Sequence, residues 1–221
     1  MAEAAKALAV RNYSEGLRRL AVTNEPASWL RNLRAEGADV FSGDEEEAVD
    51  IDLGNLLPTD RIIELMHDAP PISGLDWNSP VVSNSVLRKC YAAELFHLNL
   101  CYSGAADDSL DGIRDAENLE TLLLASTAVT NAAIRQIASM KIETLHIDET
   151  RCDDGCVDAL LTLSRLRVLD ISSTGISGDG LVRLAALSGL EELTIHNTAC
   201  SFEAMDRFME KFSGPENPIH Y

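Results

Sequence analysis

Between Leu166 and Lys211 the apolar residues fall twice into one beat, LRVLDISSTGISGDGLVRLAALSG and then LEELTIHNTACSFEAMDRFMEK. Numbered from the first leucine as position 0, Leu169 and Ile171 stand at positions 3 and 5, a spacing of two that puts both on one face of a strand. Leu181 and Leu184, at positions 15 and 18, have helical spacing, so each unit reads strand, turn, helix. The same beat runs backwards from Leu166 in steps of 24, 23 and 24 residues, giving earlier starts at Ile142, Leu119 and Leu95. Position 3 is then Leu98, Leu122, Leu145, Leu169 and Leu193, position 5 is Leu100, Leu124, Ile147, Ile171 and Ile195, and position 18 is Ile113, Ile137, Leu160, Leu184 and Phe208. Two looser units precede them, Ile72 with Leu75, Trp77, Leu87 and Cys90, and Ala48 with Ile51, Leu53, Ile63 and Met66. Their turn position carries Pro80 and Leu56, where the regular units carry a hydroxyl residue.

The motif LxxLxLxxTxI followed by a helix, recurring in register over residues 48–212, resembles the leucine-rich repeat family. That resemblance implies an α/β fold, a right-handed solenoid of about seven units with a parallel sheet on the concave face and helices on the convex face. The family usually has Asn or Cys at position 8; here Thr127, Thr150, Thr174 and Thr198 occupy it, with Ser103 one unit earlier. A hydroxyl at that place can still bond backbone groups inside the turn. The physical reason for repetition is that one short unit cannot cover its own apolar faces, and only stacking against copies buries them. Each Leu or Ile so buried contributes roughly 1.5 to 3 kcal/mol relative to exposure.

A stack needs lids. Residues 1–47 do not follow the beat: Val10, Tyr13, Leu17 and Leu20 make one helical stripe, NEP at 24–26 breaks the chain, and Ser28, Trp29, Leu30 and Leu33 begin a second helix stopping at Gly37. This predicts a helical N-terminal cap, with a partner-docking helix pair as the competing role, and GDEEE at 43–47 as a solvated connector. Residues 213–221 form a Pro-containing tail that lies either against the last unit or free of it.

Charge narrows the partners. With 18 Lys and Arg against 36 Asp and Glu, the formal net charge is -18, which disfavours nucleic acid and anionic membrane. No run approaches the roughly 20 apolar residues that a membrane span needs. Lys6 and Arg11 interrupt the only Ala-rich start, so a cytoplasmic or other intracellular compartment is expected, with a mitochondrial presequence as the lesser alternative. Five cysteines, an odd number without dense pairing, are expected to stay reduced. Cys152 and Cys200 fall at position 10 and Cys90 at position 18, both core columns, so the Cys152 and Cys156 pair is read as core rather than as a metal site; Cys101, at position 6, is more accessible.

The strand residues that alternate with the core should face the concave side. Position 4 gives Asp52, Asp76, Asn99, Leu123, His146, Asp170 and Thr194; position 2 includes His97 and Glu192, and position 6 includes Cys101, Ala125, Asp148 and His196. Acids cluster along these strands (Asp50, Asp52, Asp76, Glu120, Glu143, Asp148, Glu149, Asp170, Glu191, Glu192) with Arg167 the one base. A solvated acidic face and a face complementary to a basic partner are both consistent with this. Phe96, Cys101, Tyr102, Leu123 and Ala125 could form an uncharged patch beside the acids, an aromatic anchor of the kind binding sites use, unless Phe96 and Tyr102 tuck into neighbouring units.

His146, Asp148, Asp170 and His196 are the one enzyme-like group, but the two histidines are two strands apart, about 10 Å, which is wide for joint ligation. No nucleophile elbow, Gly-rich phosphate loop or recognisable ligand set accompanies them, and DDG at 153–155 and SGDG at 177–180 read as turns that cap helices. The sequence therefore points to a non-enzymatic protein-protein interaction module, an adaptor or subunit of a larger complex, without catalytic residues, cofactor or metal. Its expected contacts with a basic partner protein are Phe96, His97, Asn99, Tyr102, Leu123, His146, Asp148, Asp170, Glu192 and His196. An architectural subunit held through the N-terminal helices is the alternative, and a metal-assisted hydrolase at His146 and His196 a more distant one.

Overall fold

The computed structural model describes residues 28–42, 49–69, 71–91, 95–214 and 218–220, with the side chains of 89–91 left aside. Helix α1 (Ser28–Ala35) leads into β1 (Asp39–Ser42), and the repeats follow. These are β2 (Val49–Gly54) with α2 (Asp60–Asp68), β3 (Ile72–Trp77) with α3 (Asn84–Tyr91), and β4 (His97–Asn99) with a 3-10 helix at Asp107–Gly112. Then come β5 (Thr121–Leu123) with α4 (Asn131–Ile137), and β6 (Thr144–His146) with a 3-10 turn at Asp154–Cys156 running into α5 (Val157–Leu160). The last units are β7 (Val168–Asp170) with α6 (Gly178–Leu184), β8 (Glu192–Thr194) with α7 (Phe202–Lys211), and β9 (Ile219–His220).

The nine strands form one sheet in chain order, antiparallel between β1 and β2 and parallel from β2 onward. Register follows the sequence columns: Leu98, Leu122, Leu145, Leu169 and Leu193 are paired in succession and all are buried. Position 5 and position 18 are buried throughout the five regular units, so strand and helix close on one continuous core. The architecture is thus the α/β leucine-rich-repeat solenoid that the resemblance implies.

Threonine at position 8 has a specific task. Thr127, Thr150 and Thr174 each donate their hydroxyl to the position 5 carbonyl of their own unit, Leu124, Ile147 and Ile171, at 2.6 Å, and Thr198 does so to Ile195 at 2.9 Å. The bond satisfies a buried carbonyl just where the chain leaves the sheet. Helix starts are fixed by side-chain caps at position 11: Thr130, Asp153, Ser177 and Ser201 accept from backbone N–H groups of the first turn.

These caps also tie neighbouring units together, which the sequence columns do not reveal. Asp107 accepts from both the N–H and the hydroxyl of Thr130 at 2.7 Å, and Asp154 does the same for Ser177 at 2.8 and 2.6 Å. Between them, Asn131 exchanges two bonds with Asp153, at 2.6 and 2.9 Å. Units are therefore joined on the convex side as well as through the strands.

The ends differ from expectation in detail. Leu30 and Leu33 of α1 enter the core, and the helix gives way at Gly37, whose φ of 103° favours glycine. After it comes β1, unforeseen because its four residues follow no repeat, and its antiparallel pairing covers the outer edge of β2. The stripe at Val10, Tyr13, Leu17 and Leu20 and the acidic run at 43–47 lie outside the described residues. At the far end the tail returns to the sheet: Pro218 and His220 carbonyls accept from Leu193 and Ile195, and Ile219 is buried. Phe208 and Phe212 stack on each other, ring centroids 5.2 Å apart.

Candidate functional site

The concave face is built from positions 2, 4 and 6 of successive strands, which the parallel register aligns in rows. At position 7 the backbone leaves the row in the left-handed region: Tyr102, Ser126, Glu149, Ser173 and Asn197 have φ of 59, 54, 57, 55 and 51°. Each such residue costs on the order of 1 kcal/mol. The conformation aims the amide N–H of Tyr102, Ser126, Glu149 and Ser173 at the carbonyl of Ala125, Asp148, Ser172 and His196 in the next unit, at 2.8 to 2.9 Å. No glycine marks this column, so residue type did not announce it.

Three stretches of the face differ. In the first, carboxylates are held by their neighbours. Ser73 donates to Asp50 at 2.6 Å, Asn99 donates to Asp76 at 2.7 Å, and His97 Nε2 stands 3.6 Å from the same Asp76 oxygen. Asp52 accepts from Gly54 N–H at 2.7 Å, yet burial, with Asp76 and Asp39 nearby, pushes its carboxyl above the ordinary range. Asn99, an expected partner contact, is therefore already bonded to Asp76, and His97, another, lies close to it.

The middle stretch carries the aromatics. Phe96 is 43% and Tyr102 63% exposed, so both rings keep a solvent-facing surface. They flank opposite ends of β4, however, while Ala125 is buried and Leu123 and Cys101 half-buried. The expected single uncharged patch is two separate anchors, because positions 1 and 7 bracket the strand.

In the third stretch the strongest departure appears. Asp148 and Asp170 were expected to offer carboxylates to a partner, but they are 1% and 7% exposed. Short strands curl the chain inward at position 6, so Ala125, Asp148 and Ser172 sink between neighbours instead of standing off the sheet. Asp170 accepts from Ser172 N–H at 2.8 Å, and Ser172 Oγ accepts from His196 N–H at 3.0 Å. His146, Asp148 and Asp170 each bring one ligand atom to within 4.8 Å of the others; His196 is not part of this group. Glu149, Glu191 and Glu192 are exposed, Glu149 receiving the Ser126 hydroxyl and Glu191 an ion pair from Arg167 at 2.6 Å.

The cysteines follow the core assignment. Cys152 and Cys156 are buried and in mutual contact, with the Cys156 thiol pushed up by its bond with Cys152 and by burial. Cys200, half-buried, lies 3.8 Å from the Ile176 carbonyl, and burial raises its thiol as well. Among the described cysteines Cys152, Cys156 and Cys200 are free thiols; the Cys90 side chain lies outside the description.

No protein-family profile and no curated protein sequence matches the chain. Solved structures do. An internalin from Listeria monocytogenes superposes with a TM-score of 0.53 at 14% identity, over 94% of this chain and 62% of the internalin. The ectodomain of the Arabidopsis receptor kinase HAESA, bound to a peptide hormone, gives a TM-score of 0.48 at 15% identity over 86% of this chain and 34% of its own. The plant peptide hormone receptor RGFR1 in complex with RGF2 gives 0.42 at 18% identity over 66% and 23%. The chain thus spans less than two thirds of the length of each. The internalin likeness, with the nine-stranded sheet, defines the class of architecture: this is a leucine-rich-repeat solenoid. No described helix is long and apolar enough to cross a membrane.

Proposed function

We propose that the chain is a non-enzymatic protein-protein interaction module, an adaptor or subunit that receives a basic, partly extended partner on its concave face. The observation that carries this is the exposure of two aromatic rings, Phe96 and Tyr102, in the repeat that starts at Leu95, with exposed carboxylates at Glu149, Glu191 and Glu192 two to four repeats further along the same sheet. Buried anchors with a charged rim are how such surfaces gain affinity and orientation. His97, Asn99, Leu123, His146 and His196 line the floor between them, half-buried. Asp148 and Asp170 lie beneath that floor, out of a partner's direct reach. The exposed acids fit Lys or Arg on the partner, and free thiols fit an intracellular compartment.

Affinity capture from native cell extract tests this. A basic protein retained by the wild-type chain, released by about 0.5 M salt, and lost with Tyr102→Ala or Glu192→Lys is the expected result. Equal capture by both variants overturns the concave-face reading.

A further inference from the structure

The histidine and two aspartates of the third stretch bear on a different chemistry. His146 ends β6 and is paired in register with Asp170, which ends β7, so the two lie on adjacent strands about 4.8 Å apart. Asp148, two residues beyond His146, returns to the same side of the chain. One imidazole nitrogen and two carboxylate oxygens thereby converge within 4.8 Å. We propose that His146, Asp148 and Asp170 bind one divalent first-row transition ion, of the Zn2+ or Mn2+ kind.

Three features of the group support this. First, it is a mixed donor set, since imidazole with two carboxylates matches borderline divalent ions, whereas Ca2+ and Mg2+ favour oxygen-only shells. Second, both carboxylates are more than nine-tenths buried, at 1% and 7% exposure. An ion held between them would offset the cost of withdrawing two neighbouring carboxylates from water. Third, one donor is already oriented: the Ser172 N–H holds Asp170, and Ser172 is held in turn by the backbone of His196. Such supporting bonds are what fix metal ligands in place.

Burial also decides which cation. A partner's guanidinium or ammonium would have to reach carboxylates lying below the surface, whereas a single ion can sit between them with half-buried His146 as its outer ligand. At metal–donor distances of about 2.1 Å the donors of a tetrahedral site are about 3.4 Å apart, so the group would contract by a side-chain rotation. Three protein ligands leave a fourth position for water or for a donor from elsewhere. His196, the more obvious second histidine, has no part in it.

The test uses the full chain, stripped with chelator and without partner, so its outcome is independent of the docking reading. Co2+ titration followed by visible absorption and Zn2+ titration followed by calorimetry should each give one ion per chain. The Co2+ bands should be those of nitrogen and oxygen donors, without the intense thiolate charge-transfer band. His146→Gln and Asp148→Asn, checked for wild-type circular dichroism, should each weaken binding by at least about tenfold, while His196→Gln should bind as wild type. Absence of stoichiometric binding, a thiolate band, unchanged affinity in His146→Gln, or equal loss in His196→Gln would each overturn the assignment. If Asp148→Asn fails to fold, His146→Gln, at a half-buried site, decides alone.

Discussion

The first two repeats and the five that follow share a core but not a turn, and the turn decides what their concave faces can hold. In β2 and β3, with Leu56 and Pro80 at position 8, strand pairing continues to Gly54 and Trp77. From β4 onward the strands stop at position 4, and in the last four units Thr127, Thr150, Thr174 and Thr198 take up the carbonyl of position 5. In those four units the hydroxyl satisfies this carbonyl internally as the chain leaves the sheet, while β4 stops at the same position with the Leu100 carbonyl accepting from the Ser103 N–H. The longer strands present carboxylates that are already bonded to Ser73, Asn99 and Gly54, whereas the shorter ones draw position 6 inward and bury Asp148 beside Asp170.

The shared core gives the largest expected effect. Leu169→Asp places a charge in a column buried on both sides and should leave the chain insoluble or open to protease, since an isolated buried carboxylate costs several kcal/mol. Leu75→Asp in β3 should do the same, because the position 3 column runs through both regions. Wild-type melting of either would mean that the columns do not carry the fold.

The turn itself comes next. Thr174→Val leaves the Ile171 carbonyl buried without its partner and should cost about 1 to 3 kcal/mol by denaturant unfolding. Thr198→Val, at a half-buried turn, should cost less. Pro80→Thr, in a unit whose strand does not end this way, should gain no comparable stability. A gain equal to the Thr174 loss would dissolve the distinction between the two regions.

The convex ladder should respond by a smaller amount. Ser177→Ala removes both a helix cap and the hydroxyl bond to Asp154, for a loss of about 1 to 2 kcal/mol. Because Asp154 belongs to the preceding unit, a double-mutant cycle with Asp154→Ala should show coupling between the two positions. Additive losses would mean that the caps act only within their own helices.

How much of this the sequence discloses depends on whether a residue's role is set by its own unit. The leucine columns were legible because burial on a strand and a helix imposes periods of two and about 3.6, and five copies put the register beyond accident. Thr at position 8 and the caps at Asp153 and Ser177 were legible for the same reason, each acting within its turn. Other features depend on neighbours or on single occurrences. Asp148 alternates with Ile147 as any outward residue would, and its burial comes from the curl of the chain and the next unit. The left-handed column holds Tyr, Ser, Glu, Ser and Asn, and in the first four of these the conformation serves a bond to the following repeat, not glycine's freedom. β1 and β9 occur once each, at the two ends, where no period exists to point to them.

The smallest expected effect separates the regions by pH. Asp52 lies in the long-strand region, where burial raises its carboxyl, Asp76 and Asp39 add to the rise, and the Gly54 N–H offsets part of it. A carboxylate whose folded-state value lies above its unfolded one contributes stability that is full below the unfolded value of 3.8 and is lost as pH climbs through the folded value. At neutral pH the ionised Asp52 therefore weighs against folding. Asp52→Asn keeps an oxygen to accept from Gly54 and removes the charge, so it should raise the melting temperature at pH 7 by an amount worth roughly 0.5 kcal/mol or less. The difference from wild type should vanish below pH 3, where both side chains are neutral. A variant that is less stable than wild type at pH 7 would show that the Gly54 bond to a charged acceptor outweighs the desolvation, reversing the sign assigned to this stretch of the face.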